Sequence, residues 1–522
     1  MDTIIQRARR QTLGDIVRRS ASRYPDVSAI ECGTHIRWTY AKFDELCDRL
    51  ATALLSQGIS KGDRVAVLAR NSHSFVALRF ALARTGAVLV PINFMLNPEE
   101  VAYILEHSGA ESLCVDAEFA EPGQKAAELG GCVQRFFGLE DEAGNSPDGI
   151  ASFLELAASD MDLALLDRVD LQGGDLAQII YTSGTESKPK GALLTHDSVI
   201  WEYVTCLVDT CIEAGDVMLH ALPLYHCAQL DVFLGPSLYA GGTNIITASP
   251  TPDNIIGHIS RRGINSFFAP PTVWIAILRD PAATPEALST LAKGYYGASI
   301  MPVEVLKELI ERFPSLRLWN LYGQTEIAPV ATVLQPEEQL PKAGAAGKPA
   351  LNVETRVVDD DGNEVAVGEI GEVVHRSPQL LQGYFNDPER TAEAFVGGWF
   401  HSGDLATRDE DGYITIVDRK KDMIKSGGEN VSSREVEEAI YLRSEVSEVA
   451  VVGIPDAKWI EAVCAVVVLK DGEDLEASTL IEHCAEHLAG FKTPKKVVFV
   501  EALPKNPSGK VLKRELRETA QA

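Results

Sequence analysis

"YTSGTESKPKGALLTH" (residues 181–196) packs glycine, hydroxyls and two lysines into one bend between apolar runs. A mononucleotide P-loop needs Gly-x4-Gly-Lys-Ser/Thr, with the lysine just after the second glycine at a helix N-terminus. Here Lys188 and Lys190 precede Gly191, and the following "ALLTH" is strand-like. The bend is therefore expected to join two strands as a hairpin. The hydroxyls of Thr182, Ser183 and Thr185, with backbone N–H groups freed by Gly184, can still surround a phosphate. Lys190 adds a point charge. Taken alone, the loop also reads as a Ser/Thr/Gly-rich surface turn.

Outward from this bend, short strands alternate with helical patterns: "RVAVLAR" (64–70), "SFVALRFALART" (74–85) and "AVLVPIN" (87–93) read strand, helix, strand. The rhythm predicts layered βαβ sheets with helices on their faces. It continues through "GDVMLHALP" (215–223), "GINSFFAPP" (263–271) and "SLRLWNLYG" (315–323). After about residue 340 period-two alternation takes over, broken at Asp361-Gly362 and again at Asp411-Gly412, which is hairpin chemistry for a small β subdomain. "SSREVEEAIYL" (432–442) reads as a helix with Ser433 at its N-cap. "EVAVVGIPD", "AVCAVVVLK", a helix near 476–488 and "KKVVFVEALP" complete a small α+β unit. The fold class is thus α/β. A large N-terminal domain (1–418, with its β subdomain at about 340–418) precedes a small C-terminal domain (419–522).

The chain has 522 residues, more than one hydrophobic core accommodates. No apolar run approaches the eighteen or so residues of a membrane helix, and the N-terminal "TLGDIVRRSASRYPD" already reads as an amphipathic helix of the folded body, which favours a cytoplasmic protein over an imported one. Nine cysteines are scattered without a CxxC pair, which argues against a zinc site or disulfide framework. The net charge of −27 excludes general nucleic-acid or anionic-membrane binding. From Arg419 onward there are 16 Lys+Arg against 18 Asp+Glu, whereas the rest carries 32 against 57. A polyanionic ligand must be held by a few focused cations, and the C-terminal fifth is richest in them.

Three further stretches accompany the bend. "NLYGQTE" (320–326) ends a strand with an aromatic, a glycine, polar groups and a carboxylate. "GWFHSGDLATRDEDGYITIVDRKKDMIKSGGENVSSREVEEAI" (398–440) carries Asp404, Arg419, Lys425 and a Gly-Gly turn. "LPKNPSGKVLKREL" (503–516) presents Lys510 on a glycine turn. Four such pieces in this order resemble the AMP-forming acyl-CoA synthetases of the adenylate-forming superfamily, which also holds luciferases and peptide-synthetase adenylation domains. The resemblance covers nearly the whole chain.

The resemblance implies a two-step ligase using ATP, Mg2+ and coenzyme A. A carboxylate attacks the α-phosphorus of ATP to give acyl-AMP and pyrophosphate; the CoA thiol then displaces AMP. It implies that Lys510 bridges carboxylate and α-phosphate, that Thr185 and Glu326 hold Mg2+, and that Lys190 with Thr182, Ser183, Gly184 and Thr185 grips the outer phosphates. Tyr322 would stack on adenine opposite Gly297, Ala298 and Ser299, with Asn320 or Gln324 near the base edge and Gly323 and Thr325 in the same run. Asp404 would clamp the ribose and Arg419 contact ribose or phosphate. For the second step the mobile C-terminal domain would swing about Lys421, bringing in Lys425, Ser426, Gly427, Gly428 and Asn430.

By the family's positions, the resemblance implies an acid pocket walled by residues 222–242, 295–299 and the stretch after Glu326. His226 stands about where amino-acid-activating relatives place an aspartate, which disfavours an amino acid. It resembles a histidine that gates the pocket or contacts the acyl adenylate; a core histidine bonded to backbone is the alternative. An uncharged wall points to a medium- or long-chain fatty acid, with a cinnamate-type aryl acid, or a stand-alone enzyme loading a carrier protein, as alternatives. A luciferase-like oxygenase has no positive support, and a non-catalytic relative conflicts with the retention of Lys510, Glu326 and Asp404. A homodimer is one assembly open to it. One departure stands out: the family's Thr-Thr-Gly is Thr185-Glu186-Ser187 here.

Overall fold

The bend at 181–196 does connect two strands: Leu176–Thr182 pairs antiparallel with Lys190–Thr195, Thr182 facing Lys190. The computed structural model describes the chain apart from residues 1, 160, 183–187, 300, 421, 427–428, 457–458, 506–510 and 522, and the side chains of 2–4, 6 and 521. Ser183, Gly184, Thr185, Glu186, Ser187, Lys421, Gly427, Gly428 and Lys510 lie outside the described residues.

The hairpin closes one edge of a six-stranded sheet ordered Arg135–Gly138, Ser112–Val115, Arg64–Leu68, Val88–Pro91, Leu176–Thr182, Lys190–Thr195, parallel except at that hairpin. Parallel strands buried on both faces read as continuous apolar runs, and Val88–Pro91 and Ser112–Val115 are buried throughout. The helix His73–Thr85 begins where the Ser72 hydroxyl accepts from the Phe75 N–H and ends at Gly86, whose φ of 76° suits only glycine without strain. Every one of its residues is buried, as expected of a helix apolar nearly all round.

A nine-stranded sheet lies beside the first. Its central strands Arg317–Gly323, Lys293–Gly297, Ser266–Phe268, Val217–His220, Thr243–Ile246 and Ser28–Cys32 run parallel, with antiparallel strands at both edges. The β subdomain follows as an antiparallel sheet of Glu354–Val358, Gly371–Arg376, Trp399–Arg408, Phe395–Val396 and Ile414–Arg419. The C-terminal sheet is antiparallel apart from Lys496–Phe499. The large parallel-sheet domain and the small antiparallel C-terminal one are the layered α/β architecture expected from the sequence.

Ser433 is not the N-cap: the helix is Ser433–Tyr441, with Ser432 at the cap position and no side-chain cap bond. Instead the Asp418 carboxylate accepts from the Ser433 N–H and hydroxyl, both at 2.9 Å. A negative group at a helix N-terminus also complements the helix dipole. Among the described residues no helix is long and apolar enough to cross a membrane.

A buried polar knot ties the strand Leu176–Thr182 to the helices His73–Thr85, His196–Asp209 and Ala228–Leu234. Arg79 and Asp231 pair at 3.2 Å with side chains 1% and 0% exposed, while Gln178 (2.6 Å) and Tyr203 (3.3 Å) donate to the same carboxylate. Breaking one partner of a buried pair strands the other charge, which costs about 3–5 kcal/mol. Arg79→Leu should therefore lower stability by about that amount in denaturant titration, with a smaller loss when Asp231→Asn is made in the same chain.

Candidate active site

One cavity of about 620 Å3 opens where the C-terminal ends of the strands meet the β subdomain; Thr182, Lys190, Gly297, Tyr322, Glu326, Asp404 and Arg419 all line it. Ligands of parallel sheets bind at the carboxyl ends of the strands, and Tyr322–Glu326 leaves the end of Arg317–Gly323 to reach it.

At one end Tyr322 donates its hydroxyl to Asp404 Oδ2 at 2.7 Å, and Arg419 Nε lies 3.3 Å from Oδ1. Asp404 and Arg419 are direct partners across an antiparallel ladder, so the subdomain hairpin fixes their spacing. Burial, then the neighbouring Asp404 charge, pushes the Tyr322 phenol well up, so it remains a donor. An ionised carboxylate offers about four acceptor sites, so Asp404 keeps capacity for two ribose hydroxyls beyond these contacts. Gly297 and Gly323 have a structural reason of their own. A Cβ at Gly297 would lie 2.3 Å from the Leu321 carbonyl oxygen, and one at Gly323 1.8 Å from that of Pro329. The backbones pass too close for any side chain.

Of the two residues expected near the base edge, Gln324 lines the cavity, while Asn320 does not line it and donates to the Ala345 carbonyl at 3.0 Å. Gly297 and Ala298 line the cavity, whereas Ser299 is exposed beyond it.

At the opposite end the short helical turn Thr325–Ile327 presents Glu326, whose Oε1 accepts from the Tyr384 hydroxyl at 3.0 Å. Lys190 Nζ stands 4.8 Å above the same Tyr384 ring. Between the ends, Cys227 Sγ lies 3.3 Å from Thr325 Oγ1. The Ala228 N–H donates to His226 Nδ1 at 3.2 Å. Nδ1 is thus an acceptor, and the neutral ring carries its proton on Nε2. The histidine lines the cavity and is half-buried, so it is a wall group rather than a core one.

Lys425 and Asn430 are not brought to this cavity. Both are exposed and face each other across the antiparallel strands Ile424–Ser426 and Glu429–Val431, where the Lys425 N–H donates to Glu461 at 2.7 Å. Sequence reading passed over Tyr384, Arg390, Glu372 and Lys420, all on the wall. For Tyr384 the available signal is Gly383-Tyr384 in "LLQGYFND", a turn-flanked aromatic.

The donor set suits Mg2+ and a nucleotide: a carboxylate oxygen for a hard cation, a lysine beside it, and an aspartate with acceptors to spare. The AMP-binding enzyme family matches residues 17–385, and the AMP-binding enzyme C-terminal domain matches residues 435–510. A feruloyl-CoA synthase of Amycolatopsis sp is 37% identical over 98% of this chain and 99% of its own length. The long-chain-fatty-acid–CoA ligase FadD13 of Mycobacterium tuberculosis is 36% identical over 97% of this chain and 98% of its own. Among solved structures, ATP-bound MatB from Rhodopseudomonas palustris superposes with a TM-score of 0.87 at 30% identity, covering 98% of this chain and 99% of that one. The anthranilate CoA ligase AuaEII in complex with anthranoyl-AMP reaches 0.89 at 26%, covering 98% and 97%. The chain belongs to the AMP-binding enzyme family and is an AMP-forming acid–thiol ligase working with ATP, Mg2+ and coenzyme A.

Proposed function

We propose that the acid is a compact apolar monocarboxylate of the aryl type, such as an arylpropenoic acid, converted through its adenylate to the CoA thioester. The observation that carries this is the acid end of the cavity. Tyr225, Cys227, Ala228, Val232, Phe233 and Phe268 line it without a charged group. Phe233 stacks on Phe268 (centroids 4.5 Å apart, planes at 20°) and is backed by Tyr295 at 5.0 Å. Aromatic faces in offset contact favour another flat ring. A flat ring can lie against this aromatic pair in the same cavity of about 620 Å3 that the nucleotide shares. The feruloyl-CoA synthase relative and the anthranoyl-AMP-bound neighbour support this choice.

In the first step a carboxylate oxygen forms a bond to the α-phosphorus as the α–β bridging bond breaks and pyrophosphate leaves. Anion meets polyanion, so cations placed where charge builds up lower the barrier. Lys510 is assigned to the carboxylate and α-phosphate, and Lys190 to the outer phosphates. Thr185 and Glu326 would hold Mg2+, which neutralises phosphate charge when bound. Tyr322 stacks on adenine, Asp404 accepts from the ribose hydroxyls, and His226 Nε2–H donates to the acyl oxygen. In the second step the thiol sulfur bonds to the acyl carbon and AMP departs. We assign Lys425, Gly427, Gly428 and Asn430 to this step, with the part of the chain beyond Lys421 turning as a unit about it while Arg419 stays paired with Asp404. The exposed position of Lys425 and Asn430, off the cavity wall, supports such a motion.

The test is an initial-rate comparison of ferulate and cinnamate with octanoate and palmitate. The reading expects kcat/KM for the aryl acids at least about tenfold above palmitate, the order of discrimination an apolar pocket provides. Preference for palmitate would overturn it in favour of the fatty-acid alternative.

A further inference from the structure

We infer that Tyr384 is a positioning residue for adenylation: one phenol sets both the Glu326 carboxylate and the Lys190 ammonium at the triphosphate end. The inference rests on the reading of Glu326 as the ion-holding carboxylate.

Tyr384 belongs to a segment that serves as an added edge to the phosphate hairpin. The Leu193 N–H donates to the Gly383 carbonyl at 3.0 Å, the Gln382 N–H to Leu193 at 2.9 Å, and the Phe385 N–H to Gly191 at 2.8 Å. Tyr384 itself bridges Ala192. The ring thereby lies beneath Lys190 Nζ, 4.8 Å from its centroid, and the hydroxyl reaches Glu326 Oε1 at 3.0 Å. A phenol O–H is a donor and an ionised carboxylate only accepts, so the bond runs from Tyr384 to Glu326. A cation over a partly desolvated aromatic face is attracted by the ring quadrupole, which biases the rotamer of a long lysine.

The backbone under Glu326 is anchored independently of that hydroxyl. The Leu381 N–H donates to the Glu326 carbonyl at 2.8 Å. Gln379 Nε2 donates to the carbonyls of Ile327 (3.2 Å) and Val330 (3.0 Å) and to Glu202 Oε2 (2.6 Å). Glu202 Oε1 accepts from the Val330 N–H at 3.2 Å. Gln379 and Glu202 are 0% exposed, so the loop is fixed from its buried side. What the loop does not fix is the direction of the carboxylate, and Tyr384 supplies that. Removing the hydroxyl then frees one side chain and leaves the loop in place.

The chemistry separates this role from a merely structural one. Adenylation needs triphosphate and Mg2+; thioester formation from supplied acyl-AMP needs neither. Tyr384→Phe keeps the ring under Lys190 and deletes the bond to Glu326. Groups that orient a metal-binding carboxylate typically contribute about 10- to 100-fold in affinity or activity. The variant should shift the Mg2+ concentration for half-maximal pyrophosphate release upward by about that factor. The KM for the acid and the rate of thioester formation from acyl-AMP should stay as in the parent. Tyr384→Leu, which also deletes the ring, should add a rise in KM for ATP. Glu326→Gln is the control. If it leaves the Mg2+ dependence unchanged, the assignment of Glu326 itself fails. If it shifts the Mg2+ dependence and Tyr384→Phe does not, the positioning role alone is overturned. Equal loss of both half-reactions in Tyr384→Phe overturns it as well.

Discussion

Lys510→Ala is expected to lower adenylate formation by about a hundred- to a thousandfold while thioester formation from supplied acyl-AMP proceeds at nearly the parent rate. The size follows from the charge problem: removing one group that stabilises charge developing in the transition state typically costs 10²–10³ in rate. On the proposed assignment Lys510 has that task in the first step only, because the second step breaks the acyl–phosphate bond with no triphosphate present. The measurement is paired single-turnover kinetics, with pyrophosphate release on one side and CoA thioester appearance from acyl-AMP on the other. Equal loss in both would remove the lysine from its assigned role.

Asp404→Ala is expected to raise the KM for ATP by roughly two to four orders of magnitude. Two hydrogen bonds to a charged group are worth about 1.5–3 kcal/mol each, and about 1.4 kcal/mol is a factor of ten. Asp404 is 5% exposed and also holds Tyr322 (2.7 Å) and Arg419 (3.3 Å), so its loss loosens the ring proposed to stack on adenine as well. Asp404→Asn should fall between, since an amide accepts at one oxygen only. Steady-state kinetics at saturating acid reads the effect, and the melting temperature separates it from unfolding. An unchanged KM for ATP in a folded variant would show that the ribose is held elsewhere.

How far these residues could be read from sequence depends on range. The 181–196 bend was legible because lysine order and strand periodicity are local properties. Asp404 and Arg419 were each named from local context, yet their cross-strand pairing needs the register of a hairpin fifteen residues apart. Tyr384, Gln379 and Glu202 were passed over for a different reason, and only Tyr384 carries a local signal, its place after Gly383. Their partners lie 58 and 177 residues away in sequence, and "WEYVTCLVD" gives no sign that Glu202 is buried. Burial drives its carboxyl well above the usual range, a property of the assembled core. The N-cap at Ser433 was misread because Asp418, from the strand Ile414–Arg419, replaces the local cap.

The most direct test of the central chemistry is product analysis with and without CoA, using ATP labelled in the α-phosphate and an aryl acid. The account predicts one AMP, one pyrophosphate and one thioester per turnover with CoA, and a burst of about one acyl-AMP per enzyme without it. Formation of ADP, or sustained turnover in the absence of CoA, would contradict it.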